Sequence, residues 1–280
     1  MRHDLPVYMD SNATTPVEPS VLEAMLPYFT DQFGNAGSRT HVYGTEAKKA
    51  VERAREMVGS VVRAEPDEVV FTSGATESNN LALLGLARFG EEVGRKHIVS
   101  TAIEHKAVLE PLEYLQSRGF EVELVPPQGS GWVEAASIDA AVRDDTLLVS
   151  VMHVNNETGV IQPLGEIADA LGDRAAFFHT DAAQGYGKEL ELLRHPRIDL
   201  ISISAHKIYG PKGIGALINR RRGADGLPLR PLMYGGGQER GLRPGTAPVP
   251  LLVGMGQAAR IAAAEHASRQ QPCLAFREKL

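Results

Sequence analysis

Short apolar runs alternate along the chain with segments whose apolar residues recur every three to four positions. EVVFT (68–72), HIVST (97–101), FEVELV (120–125), LLVSVM (147–152), AFFH (176–179) and LISIS (200–204) are short and bounded by polar or small residues, which predicts strands. Asn79–Arg88, Ala107–Ser117, Ile138–Val142 and Leu164–Leu171 carry the helical spacing. Ahead of the first run, Tyr43–Val62 predicts a long amphipathic helix and Val21–Tyr28 a shorter one. Regular alternation of strand and helix predicts an α/β fold, a mostly parallel sheet covered on both faces.

In such sheets ligands sit beyond the carboxyl ends of the strands. The residues that follow the runs are SGATESNN, AIEHK, NNETG, TDAAQ and AHK. Five polar or titratable strand ends in one domain point to a site rather than to five unrelated turns. Ser73-Gly74-Ala75-Thr76 opens a helix; taken alone it reads first as an ordinary N-cap, and with Ser204 and His206 as further donors it fits an anion cradle. Asp181 suits either a helix cap or a carboxylate for a protonated ring nitrogen, with Gln184 three residues on. His105 fits a solvated or a functional histidine. Lys207 is the sharpest feature: straight after an apolar strand it fits either a surface lysine in a loop or a desolvated amine, and a desolvated amine is a Schiff-base nucleophile. Phosphate cradle, carboxylate, stacking ring and lysine together are the parts of a pyridoxal phosphate site.

Composition narrows the classes. The 280 residues are 43% hydrophobic and 23% charged, with a net charge of -6, so nothing suggests a surface for direct nucleic-acid binding. The basic run Arg220-Arg221-Arg222 reads as a solvated turn. A single cysteine, Cys273, excludes an internal disulfide framework and cysteine-rich metal sites, and it fits a reducing, cytoplasmic location. The first residues carry no apolar signal core, and no run approaches the roughly 20 apolar residues of a membrane span. No P-loop pattern is present.

The sequence resembles the cysteine desulfurases of the class V aminotransferase superfamily, in the IscS/NifS-like branch. The motifs are YMDSNATTPV (8–17), GNAGSRTHVYG (34–44), FTSGATESNN (71–80), EHKAVLEP (104–111), VNNETG (154–159), HTDAAQGYGK (179–188), SAHKIYGPKGIGAL (204–217) and GGGQERGLRPGT (235–246). The resemblance implies pyridoxal phosphate fold type I, with a seven-stranded, mostly parallel sheet. It implies an N-terminal arm at 1–15, a large cofactor-binding domain at 16–262, and the start of a small domain at 263–280. Lys207 would carry pyridoxal 5'-phosphate as an imine. Ala75, Thr76, Ser204 and His206 would hold its phosphate. His105 would stack on the ring and shuttle protons, Asp181 would pair with the ring nitrogen, and Gln184 would contact the ring hydroxyl. Asn156 would contact the ring oxygen and the substrate carboxylate, with Asn12 also on the substrate side. Thr246 would reach the phosphate of the partner in a homodimer.

The implied reaction converts L-cysteine to L-alanine and leaves the sulfur as an enzyme persulfide. Sulfur-acceptor proteins would then serve iron–sulfur assembly, tRNA thiolation or DNA phosphorothioation. The family's catalytic cysteine loop and its substrate-clamping arginine are expected beyond Leu280, and Cys273 in QPCLAF does not match that cysteine. A normal desulfurase shortened at its C-terminal side is the expectation. The alternatives are another class V reaction, such as a transaminase, selenocysteine lyase or epimerase, and a non-catalytic cofactor-binding scaffold.

Overall fold

The computed structural model describes residues 6–222 and 226–279. Its helices are α1 (Pro19–Met25), α2 (Pro27–Thr30), α3 (Val42–Val61), α4 (Ala75–Val93), α5 (Lys106–Ser117), α6 (Ala135–Ala141), α7 (Leu164–Leu171) and α8 (Val249–Arg277). Its strands are β1 (Val69–Thr72), β2 (His97–Thr101), β3 (Glu121–Val125), β4 (Thr146–Ser150), β5 (Phe177–Asp181), β6 (Leu200–Ser204) and β7 (Gly215–Asn219). They form one seven-stranded sheet in the order β1-β7-β6-β5-β4-β2-β3. Strand β7 runs antiparallel to both of its neighbours, and the other pairs are parallel. The fold is the expected α/β sheet, and six carboxyl ends open on one edge.

Alternation along the strands splits the core in two. Val70, Leu148, Phe177, Leu200 and Leu217 face a layer formed by α4 and α5. Phe71, Val149, Phe178, Ile201 and Ala216 face the other layer, with α3, α6, α7 and α8. Burial on both faces explains why β1, β4 and β6 read as largely apolar runs, whereas the edge strand β3 is mostly exposed and alternates charged with apolar residues.

Several details depart from the sequence reading. The seventh strand, Gly215–Asn219, was not among the six apolar runs. The short helix expected at Val21–Tyr28 splits into α1 and α2, because Pro27 has no N–H to continue the ladder. Asp181 is the last residue of β5 rather than a loop residue after it. Arg220 is not part of a solvated turn. It is buried, and its guanidinium donates to the carbonyls of Val62, Leu193, His195 and Ile198 at 2.6–3.1 Å. Helix α8 crosses residues 262–263 without a break. Its buried positions end at Ala262, and the turns beyond are half-exposed or exposed.

Gly215 fixes how β7 meets the first turn of α4. A Cβ there would lie 2.5 Å from the Ile203 carbonyl oxygen and 2.6 Å from Gly74 Cα, both backbone atoms that cannot swing aside. Gly74 itself has φ +154°, a value that L side chains rarely adopt. Gly215→Ala should therefore destabilise the chain by about 1–3 kcal/mol, read as a lower urea midpoint with an unchanged slope. An unchanged midpoint would mean that the contact relaxes freely.

Candidate active site

The carboxyl ends of the strands open into a cleft of about 800 Å³. Its lining includes Asn12, Ala75, Thr76, His105, Asn156, Asp181, Gln184, Ser204, His206 and Lys207. The fold thus brings together ten sequence-predicted positions drawn from the arm and the carboxyl ends of five strands, β1, β2, β4, β5 and β6. Thr246 is the exception. It is exposed on the loop 235–248 and does not line the cleft of its own chain.

Lys207 ends a short 3-10 turn that follows β6 directly. The arm clasps this turn. Thr15 donates its N–H and its hydroxyl to the His206 carbonyl at 3.0 and 2.9 Å, and its Oγ1 accepts the Tyr209 N–H at 2.9 Å. Tyr209 is held at φ +62°, a strained value for a non-glycine residue. Lys207 Nζ donates to the Asn12 carbonyl, which also accepts from Gln184 Nε2 at 2.9 Å. Burial lowers the Lys207 amine below the usual lysine range, against the opposing pull of Asp181 and Asp10. A larger share of the amine is therefore free to attack a carbonyl.

Helix α4 begins at Ala75 with no side-chain cap. The first N–H groups of a helix have no intrahelical acceptor, and the helix dipole favours negative charge there. Ser204 Oγ would lie 3.9 Å from a Cβ on Gly74, and His206 also lines the cleft. His206 Nδ1 lies 3.1 Å from Thr14 Oγ1, and burial, with Lys207 and Lys212 nearby, holds the ring below the usual histidine range. Helix N–H groups with the Ser204 hydroxyl beside them are the chemistry of a phosphate site.

Asp181 is buried at the end of the central strand. Its oxygens accept from Asn79 Nδ2 at 2.7 Å and from the Ala183 N–H at 2.9 Å, both neutral donors. Burial raises its carboxyl despite these bonds and despite the charges of His105 and Lys207. A cationic N–H donor in the cleft would stabilise it. Beneath it, His179 lies between Ser150 Oγ (2.8 Å) and Ser202 Oγ (3.0 Å), and burial pushes its ring down to about 3, so it stays neutral. His105 caps α5, and its Nδ1 accepts the Ala107 N–H at 3.0 Å. The neutral ring therefore carries its proton on Nε2.

Two residues escaped the sequence reading. Asn79 is one helical turn beyond Ala75, and only the folded distance to Asp181 reveals it. Glu104 is fully buried, and its Oε1 accepts from Thr101 Oγ1 at 2.8 Å and from the Met152 N–H at 2.7 Å. It ties the segment bearing His105 to the end of β4. The signal was its place beside His105 in EHK.

The fold and cleft define an α/β protein whose strand ends gather an amine, an uncapped helix terminus and a buried carboxylate in one cleft. The aminotransferase class-V family model matches residues 7–272, and the chain belongs to that family. Its sequence is 52% identical over 261 residues to a mitochondrial cysteine desulfurase of Arthroderma benhamiae, covering 93% of this chain and 52% of that protein. Among solved structures, DndA from Streptomyces lividans superposes with a TM-score of 0.86 at 58% identity, covering 94% of this chain and 74% of that one. SspA in complex with cysteine superposes with a TM-score of 0.84 at 43% identity, covering 91% and 72%. The chain spans about half the length of the curated relatives it matches.

Burial pushes the Glu104 carboxyl up to about 8, with the Asp181 charge adding to the rise and hydrogen bonds from Met152 and Thr101 opposing it. The folded chain then holds a proton that the unfolded chain releases near the ordinary carboxylate value. Stability from this group is full below that value and is lost as pH rises towards 8. Glu104→Gln should flatten the fall of the melting temperature between about pH 5 and pH 8. An unchanged pH profile in the variant would contradict this.

Proposed function

We propose that the chain binds pyridoxal 5'-phosphate in this cleft and carries the activation site of a cysteine desulfurase. The observation behind the reading is the convergence of Lys207, the uncapped α4 terminus and buried Asp181. The residues fit the cofactor on chemical grounds. Its phosphate matches the Ala75 and Thr76 N–H groups with Ser204 and His206. Its protonated ring nitrogen supplies the cationic donor that Asp181 lacks. Lys207 is the amine for its aldehyde. Bound pyridoxal phosphate supplies an electron sink for bonds at the amino-acid α-carbon.

The chain's own groups do the remaining work. Asp181 keeps the ring nitrogen protonated, because a buried carboxylate is stabilised by that proton. Lys207 would hold the cofactor through its amine and would hold or return a proton at Nζ. His105 Nε2 moves a second proton at the cleft wall. Asn156 and Asn12 would orient the substrate carboxylate, and Gln184 would hold the cofactor on the ring-hydroxyl side. Thr246, exposed on its loop, serves the phosphate of a second copy in a homodimer.

The substrate is L-cysteine. A thiolate attacks its Sγ, the C–S bond breaks towards the carbon skeleton, and a proton replaces sulfur on that carbon. L-cysteine and a thiol become L-alanine and a persulfide, from which acceptor proteins take sulfur. Cys273 is exposed on α8 and does not line the cleft, so it is not assigned as that thiol.

Adding pyridoxal phosphate to the purified chain should produce a near-visible absorbance band that Lys207→Ala abolishes. L-cysteine should shift the band, and with an added small thiol L-alanine should appear. A band that survives Lys207→Ala, or no band in the parent chain, contradicts the cofactor assignment. Consumption of L-cysteine without alanine contradicts the desulfurase assignment.

A further inference from the structure

Glu77 is the part of the anion cradle that opposes an anion. It is the third residue of α4 and lines the cleft beside Ser73, Ala75 and Thr76. Its Oε2 accepts the Ser73 N–H at 2.6 Å. That bond favours the helix terminus, and it withdraws the Ser73 N–H from any ligand. Burial pushes the carboxyl up, but hydrogen bonds from Arg243 and Ser73 outweigh burial and hold it below the usual carboxylate range. Glu77 is therefore ionised at neutral pH, and a full negative charge stands beside the place where a phosphate binds.

Arg243 answers that charge. Its Nε lies 3.0 Å from Oε1 and its Nη2 lies 3.4 Å from Oε2. The two side chains are 25% and 16% exposed, so water screens the pair less than a surface pair. Arg243 belongs neither to α4 nor to the sheet. It arrives on the loop 235–248, whose anchor lies elsewhere. Glu239 accepts from Arg55 Nη1 and Nη2 at 2.7 and 2.8 Å and from the Phe71 N–H at 2.8 Å. Arg240 Nη2 donates to the Val69 carbonyl at 2.9 Å. The loop is fastened to β1, and from there it delivers a cation to α4.

We propose that Arg243 is a positioning residue whose guanidinium neutralises Glu77 and so sets the affinity of the α4 terminus for a phosphate group. The identity of that phosphate rests on the cofactor reading above. The test is equilibrium titration of the ligand-free chain with pyridoxal phosphate and, separately, with pyridoxal, which has no phosphate. Arg243→Gln should weaken pyridoxal phosphate about tenfold and leave pyridoxal unchanged, since only the phosphate meets the exposed charge. Adding Glu77→Gln should restore pyridoxal phosphate to within about twofold of the parent chain. Equal weakening of both ligands, or a double variant no better than Arg243→Gln, overturns the proposal. If Arg243→Gln does not fold, Glu77→Gln alone decides: it must bind pyridoxal phosphate at least as tightly as the parent, and weaker binding overturns the proposal. Failure of the cofactor reading is separate, seen as no imine band in the parent chain. Inorganic phosphate then replaces the cofactor as probe, and the same charge pattern is required.

Discussion

A buried carboxylate at the end of the central strand sets the terms for the rest of the structure. Asp181 closes β5, which has three strands on either side. A carboxylate at such depth is costly unless hydrogen-bonded and offered a cation. Asn79 and the Ala183 N–H supply the hydrogen bonds, and Asp181 lines the cleft, where a ligand with a cationic N–H would stabilise it. The neutral Ser150–His179–Ser202 line beneath adds no competing charge.

The sheet topology turns that single group into a site. Strand β7 returns antiparallel beside β6 and brings Gly215 against Gly74, which sets the first turn of α4 next to the lysine turn. The arm then clamps the lysine turn through Thr15, and it holds Lys207 in place through the Asn12 carbonyl. Two long-range carboxylates complete the frame. Glu104 braces the His105 segment against β4, and Glu239 fastens the loop that brings Arg243 to Glu77. Each is buried or half-buried, and each acts between elements far apart in sequence.

That separation explains what the sequence revealed and what it hid. Strand ends were legible because fully buried parallel strands are short apolar runs with polar residues at their exits, and Lys207, Asp181 and His105 sit at those exits. Strand β7 was hidden because its glycine, required for contact with Gly74, lowers the strand signal. Asn79 and Glu104 were hidden because their partners are Asp181, Met152 and Thr101, and most of these meet them only in the folded chain. Arg220 misled because three consecutive arginines suggest solvent, whereas the first folds inward onto four carbonyls. Thr246 was named from a family pattern, and the cleft of a single chain has no place for it.

The central claim is that the fold selects one lysine for covalent chemistry. Borohydride reduction of the chain with pyridoxal phosphate, followed by peptide mass mapping, tests it directly. The account predicts a single phosphopyridoxyl group, on Lys207. Labelling at neighbouring Lys212 or Lys188 instead, or labelling spread over surface lysines, would contradict it.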